Sequence, residues 1–427
     1  MWLYNLHYFD HPSPELIHDW ITENPPGVGN GWEPYPISLR MVNWIKAHLE
    51  YGNLLDDTAL QSLASQAAYL EQSVEHHILA NHLFANAKAL TFAGVFFEGG
   101  QADQWFQTGL QLLRRELKEQ ILEDGAHFER SPMYHSLITE DLLDLINLAT
   151  LYPDRIDSAD LQNWKRTAER MLGWLLQMTH PDGQIAFFND AAFDIAPQPS
   201  RLHEYAARLG ITAMPVKLGD SGYVRLENGE SVLLFDGAPI GPDYQPGHAH
   251  ADTLSFELSH LGRRIIVNSG TSTYEVGEQR ATERGTTAHS TVRIDRQDQS
   301  EVWSAFRVAR RARPIDLRVS GNTSVEAGHT GYRRLNPPVT HRRRVELQRD
   351  AAVVHDSIEG SGVHEVEIYF HFHPEAVPKV NFDPKLKAVT ENTEYYPGFN
   401  LRIPKKTAIG RWKGACPQQF TSVIPLG

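Results

Sequence analysis

The chain has almost no cysteine: one residue in 427, Cys416. A lone thiol excludes an internal disulfide framework and a zinc site built on cysteines. Near the C-terminus it reads as inert filler rather than as a nucleophile. Long apolar runs are also missing, and none approaches the ~18 to 20 residues that span a bilayer as a helix. The opening MWLYNLHYFD has no basic stretch followed by an apolar core, so it does not read as a signal peptide. That leaves the compartment open: cytoplasmic, or periplasmic or secreted if a leader has been removed. Positive charge is short as well. Lys and Arg number 40 against 53 Asp and Glu, a net of −13, which argues against non-specific nucleic-acid binding. No strict internal repeat is found, which argues against a solenoid with a fixed motif.

What is present divides in two. A chain of 427 residues exceeds one compact core. Residues 1–215 carry 13 basic and 28 acidic side chains, and residues 216–427 carry 27 and 25. In the second part arginines bunch at Arg307, Arg310, Arg311 and Arg313, at Arg333 and Arg334, and at Arg342, Arg343 and Arg344. Such a bunch either steers an anionic polymer or is a solvated sheet face. From about 36 to 210 the apolar spacing is helical: Ile37, Met41, Ile45 and Leu49 recur every four residues, with Leu39 and Val42 on the same broad face. Similar stretches cover about 58–79, 83–98, 102–123, 134–152 and 158–180, broken by turn residues such as Glu98-Gly99-Gly100 and Pro181-Asp182-Gly183. Short connections pack such helices antiparallel. Past about 215 the period changes to two, as in 231–235, 254–258, 264–267 and 366–370, which reads as an antiparallel β-sandwich. The predicted fold class is therefore α+β multidomain, with helical hairpins over 1–215 in a curved array or incomplete ring, and a sandwich over 216–427.

With 21 histidines, any single one means little, and only polar clusters count. Asn81-His82 stands at a helix start, where Asn serves as an N-cap and where the helix dipole also suits a carboxylate. His82 alone would more often be structural. Glu129 to His135 is a second helix start, with Pro132 in the first turn. Within it Tyr134 is either a core residue or, beside positive charge, an acid or base. The most specific cluster is His248-Ala249-His250-Ala251-Asp252, where two histidines one residue apart project to the same side of an extended segment. Asn268, in Val267 to Thr271, and His289, in Thr287 to Thr291, complete the set. His250, Asn268 and His289 could converge on a divalent metal, although a neutral amide is a weaker ligand than a carboxylate.

Taken in order, the opening segment Met1 to Asp10, the Asn81-His82 pair, Glu129 to His135, His248 to Asp252 and Thr287 to Val292 resemble the heparinase II/III family of polysaccharide lyases. The resemblance runs through most of the chain. It implies an incomplete α/α toroid followed by an antiparallel β-sandwich, in agreement with the change of period. It implies cleavage of an anionic uronic-acid polysaccharide by β-elimination, with Asn81 and His82 on the uronate carboxylate, Tyr134 as acid and in some substrates also base, and His248 as the catalytic histidine. Glu129, His135, Arg280 and Arg284 are further candidates for substrate contact. His250 and His289 match metal ligands for a structural divalent ion (Zn, Mn or Ca). Asn268 stands where the family's third ligand is typically aspartate.

The chemistry needs these residue types. A proton α to a carboxylate is hard to remove while the carboxylate stays anionic, so donors must stabilise the developing enolate, as an oxyanion hole does. Two rivals remain open. An α/α-barrel hydrolase needs two carboxylates about 5–10 Å apart, for which Asp182, Asp190 and Asp194 are available. A non-catalytic glycan-binding or assembly protein could keep the fold.

Overall fold

A computed structural model describes residues 2–52 and 54–426. Met1 of the opening segment lies outside the described residues. Contacts divide the chain into two compact units, one of Met1–Ile121, Ile138–Ala168 and Leu209–Ile211, the other of Leu122–Leu137, Glu169–Arg208 and Thr212–Gly427. Secondary structure changes type where the sequence period does: the last long helix ends at Arg208 and the first strand begins at Tyr223.

The helices are α1 (Trp2–Asn5), α2 (Pro14–Glu23), α3 (Pro34–Tyr51), α4 (Asp57–Gln72), α5 (Ala80–Phe96), α6 (Gly100–Gln120), α7 (Pro132–Leu151), α8 (Ser158–Gln177), α9 (Pro199–Arg208) and α10 (Glu278–Arg284). In α3 the four-residue spacing buries Ile37, Met41 and Ile45, while Leu49 at its end stays exposed. Helix α5 is buried on nearly every side and is rich in alanine. Its neighbour α6 comes so close that a Cβ on Gly94 would stand 2.4 Å from the Phe106 backbone nitrogen, which close packing cannot absorb. The helical stretch expected over 58–79 stops at Gln72, where Ser73 leaves the helical conformation, and Leu79 and Ala80 adopt φ of 65° and 50° at the entry to α5. The interior of this unit is also ionic: Lys88 Nζ lies 2.7 Å from Asp141 and 2.6 Å from Asp144, which Lys46 approaches at 2.9 Å.

In the second unit β1 (Tyr223–Asn228), β2 (Ser231–Asp236), β3 (Phe256–His260) and β4 (Arg263–Ile266) form a four-stranded sheet in sequence order. Then come β5 (Val292–Ile294), the short pair β6 (Val302–Trp303) and β7 (Arg307–Val308), β8 (Pro314–Ser320), β9 (Ser324–His329), β10 (Val339–Leu347), β11 (Ala351–His371), β12 (Lys387–Tyr395) and β13 (Ile403–Pro425). The larger sheet has the order β12-β13-β11-β10-β9-β8, with β5 pairing β11, and all these pairs are antiparallel. Leu233 and Phe235 of β2 enter one core with Val345, Val354, Ile368 and Phe370 of the other sheet. Val232 and Leu234, on the opposite face, pack with Trp174, Met178 and Phe188. Alternation thus buries β2 on both faces.

The bunched arginines settle on the solvated-face reading. Arg342 pairs with Asp316 and Glu359, Arg310 with Glu301, Arg311 and Arg313 with Asp243, and Arg344 with Glu346. Arg343 is fully buried on Asp356. Their charge is largely spent within the protein. Cys416 is buried, which pushes its thiol up in pKa and fits an inert role.

Candidate active site

In the sandwich unit the site grows from the start of α7. The Tyr134 backbone N–H donates to Ser131 Oγ at 3.2 Å, with Pro132 opening the helix. Just before it Arg130 has φ of 59°, a strained conformation for a non-glycine residue. Its carbonyl accepts from Asn189 Nδ2 at 3.1 Å and Tyr223 Oη at 2.7 Å. These bonds fix both the helix entry and the Asn189-Asp190 turn.

Asp190 organises the rest of the site. It is fully buried and faces Arg280 with both carboxylate oxygens, one of these bonds measuring 2.7 Å. Oδ2 also accepts from His248 Nδ1 at 2.9 Å, and Oδ1 from His250 Nε2 at 2.8 Å. Burial alone would raise its pKa. Arg280 and the two histidines outweigh that and hold the carboxyl well below its usual range. An ionised Asp190 accepts a proton-bearing Nδ1 from His248, which puts the ring's lone pair on Nε2. The expectation that His248 and His250 point the same way is met in a specific sense, since both converge on one carboxylate.

The Tyr134 ring stacks on His248, with centroids 3.9 Å apart and planes inclined by 28°. Its hydroxyl lies 3.0 Å from Tyr274 Oη. Tyr274 in turn packs against Phe306 and Phe399 beneath the Arg280 guanidinium. Its burial pushes the phenol well above its ordinary pKa. The sequence singled out Tyr134 and His248 but not their partners. Asp190 drew notice only as a hydrolase carboxylate, and Tyr274 lies in no recognisable motif.

The other residues expected to touch substrate lie deeper. Arg280 is spent on Asp190 and on the Ala305 carbonyl. Arg284 is fully buried and donates twice to the Ala249 carbonyl, at 3.1 and 3.0 Å, so it braces the His248–His250 segment instead of meeting solvent. His135 has Nδ1 on the His127 N–H and Nε2 on the Met171 carbonyl, and burial lowers its pKa to about 4. Glu129 is buried beside His127. These four are interior residues in this arrangement.

In the helical unit, Leu79 rather than Asn81 occupies the cap position of α5. Asn81 is buried, and its side chain acts on the Tyr35 phenol. Tyr35 stacks on His82 at 4.4 Å and 28°, and His82 Nδ1 lies 3.0 Å from Glu75 Oε1. The His82 side chain keeps 31% of its surface open.

Of the metal candidates, His289 Nδ1 lies 3.2 Å from Asn268 Oδ1, and the His250 and His289 ring centroids are 5.3 Å apart. The hydrolase carboxylates do not form an acid–base pair. Asp190 is locked to Arg280, Asp182 is paired with Arg264 at 2.7 Å, and Asp194 is exposed.

Residues 15–207 match the description "Heparinase II/III N-terminus" and residues 211–413 match "Heparinase II/III-like, C-terminal". The chain belongs to the heparinase II/III family. It is 25% identical over 347 residues to a heparin-sulfate lyase of Bacteroides stercoris, covering 76% of this chain and 49% of that protein. It is 27% identical over 326 residues to a heparin-sulfate lyase of Pedobacter heparinus, covering 66% and 47%. The chain thus spans about half the length of these curated relatives. A crystal structure of heparinase III superposes with a TM-score of 0.77 at 20% identity, over 96% of this chain and 72% of that one. A chondroitin AC lyase of Streptomyces coelicolor superposes at 0.52 and 10% identity, over 99% and 79%. The fold is that of an α/α toroid with an antiparallel β-sandwich, as the sequence implied.

Proposed function

We propose that this chain cleaves a uronic-acid-containing polysaccharide by β-elimination, leaving a 4,5-unsaturated uronate at the new end. The observation that carries the reading is the stacked Tyr134–His248 pair, with its imidazole oriented by ionised Asp190 and its phenol hydrogen-bonded to Tyr274. Tyr274, kept protonated by burial, can donate to the Tyr134 oxygen, so that oxygen can hold negative charge before it takes a proton and again after it delivers one. When the C5 proton and the C4-linked oxygen lie on one face of the sugar, Tyr134 takes the first and protonates the second. When they lie on opposite faces, His248 Nε2 is the base and Tyr134 the acid.

Asn81 and His82 are assigned to the uronate carboxylate, on the family resemblance and on the partly open His82 ring in the helical unit. Donors there stabilise the enolate that forms when the proton leaves. The substrate is an anionic polysaccharide. Within that class the names of the relatives favour a heparin-type glycosaminoglycan over alginate or a bacterial capsule.

The test is ultraviolet absorbance of the conjugated product during incubation with heparan sulfate, chondroitin, hyaluronan, alginate and capsular polymers, beside Tyr134→Phe. Absorbance should rise with one polymer class, and the variant should lose roughly 10²-fold or more of the rate, the usual scale for a lost acid–base group. Reducing ends without absorbance would replace the lyase by a hydrolase. Binding without either signal would leave a glycan-binding protein. Full activity in Tyr134→Phe would remove the tyrosine from the chemistry.

A further inference from the structure

The family resemblance implies a divalent cation at His250, Asn268 and His289, and part of the position suits one. His250 Nδ1, Asn268 Nδ2, His289 Nε2 and His371 Nε2 are buried with no hydrogen-bond partner, and buried imidazole nitrogens are good ligands for borderline metals. What is missing is negative charge. Asn268 offers a neutral amide whose oxygen is directed at His289, and its backbone N–H is already bound to Glu257 at 2.8 Å. The nearest carboxylate on His250 is Asp190, whose charge is matched by Arg280. Among the described residues no group of three or more His, Cys, Asp or Glu could hold a metal ion.

A buried amino group of the chain itself stands close by. Lys405, near the start of β13, is 3% exposed. Its Nζ donates to Ser269 Oγ at 3.0 Å and to His371 Nδ1 at 2.5 Å. Ser269 follows Asn268 in the chain, and its hydroxyl donates to the carbonyl of Ala288, the residue before His289, at 2.7 Å. No carboxylate offsets its burial, which pushes the amino group well below its ordinary pKa, so it acts here through its hydrogen bonds. The Lys405–Ser269–Ala288 chain therefore joins the two segments that a metal held by Asn268 and His289 would join.

We infer that the Lys405 amino group, rather than a divalent ion, ties the Asn268 segment to the His289 segment, and that this chain folds without a metal at His250, Asn268 and His289. The position is the one where the resemblance places an ion, with the carboxylate exchanged for an amide and a buried amino group hydrogen-bonded next to it. This does not depend on the proposed activity, because its readouts are metal content and stability.

The test uses the full chain produced in medium supplemented with zinc, manganese and calcium. Elemental mass spectrometry should find no stoichiometric metal, and the melting temperature should be the same with and without EDTA. Lys405→Met should melt several degrees lower, with no recovery on adding zinc. One metal per chain, released by EDTA with a fall in melting temperature, would overturn the inference. That measurement needs only the wild-type chain, so the inference stays falsifiable even if Lys405→Met fails to fold.

Discussion

The two units carry the same small device in two settings. In each, a histidine donates Nδ1–H to a carboxylate and stacks on a tyrosine at an inclination of 28°. In the helical unit the carboxylate is Glu75, which otherwise receives Asn86 Nδ2 at 3.1 Å, and the histidine ring is 31% open. In the sandwich unit the carboxylate is Asp190, which also receives His250, Thr271 and both ends of the Arg280 guanidinium, and the histidine ring is only 12% open. Among the described residues no Lys or Arg pairs with Glu75. The difference is one of dependence: water can stand in for a lost partner at His82, whereas nothing can at Asp190.

The change that tests this most severely is Asp190→Asn. It preserves volume but leaves Arg280 buried without a counter-charge, and breaking such a pair from one side costs roughly 3–5 kcal/mol. It also removes the anion that sets the His248 tautomer, so elimination should fall by about 10²-fold or more. Urea denaturation and the rate of unsaturated-product formation read the two losses separately. An Asn variant with wild-type stability would show that Asp190 is no linchpin, and the contrast between the units would collapse.

Acid should also distinguish the units. In the sandwich unit burial lowers the pKa of His127, His135, His180, His250, His289, His329, His341 and His371. Each stays neutral in the fold at a pH where the unfolded chain already binds a proton. The unfolded state therefore binds more protons, and stability falls as pH drops below 6.5. For His135, whose pKa falls to about 4, the shift corresponds to roughly 3 kcal/mol, complete near pH 4. Asp236, Asp252, Glu283 and Asp298, all raised by burial and Asp252 to about 6, oppose this, but as four groups against eight histidines. In the helical unit Glu140 is raised to about 7 by burial, which adds stability as pH falls from 7 toward 4.5. Hydrogen exchange followed between pH 7 and 4 should find amides of the sandwich unit losing protection first. Simultaneous loss in both units, or earlier loss in the helical one, would contradict the assignment.

The sequence disclosed periodicity and motif more readily than partnership. The change of period near 215 and the strands around 231–235 and 366–370 were legible because alternation is a local property of the chain. Tyr134, His248 and His250 drew notice because they sit in clustered polar segments. The burial of Arg280, Arg284, Glu129 and His135 was not legible, since whether an ionisable side chain meets solvent depends on residues far away in sequence. Arg280 and Asp190 are 90 positions apart. Asn268 was legible as a departure from the family pattern, but nothing local pointed from it to Lys405, which stands 136 positions from the Ser269 hydroxyl it binds.

The smallest effect belongs to Glu75→Gln. The glutamine side chain has the same length, its amide oxygen can still accept from His82 Nδ1, and Tyr35 still holds the ring plane. What is lost is the charge of the bond to a partly exposed ring and one of the two acceptors of Asn86 Nδ2, which keeps Ser38 Oγ, together about 1–2 kcal/mol. Stability should therefore fall by about 1–2 kcal/mol, and KM should rise roughly threefold with kcat nearly constant, because a less firmly oriented His82 weakens carboxylate binding in ground state and transition state alike. A loss of kcat as deep as that of Asp190→Asn would mean that the helical pair takes part in the chemical step and that its openness is misleading. An unchanged KM, with the variant folded, would take His82 out of carboxylate recognition and leave the uronate to Asn81 alone.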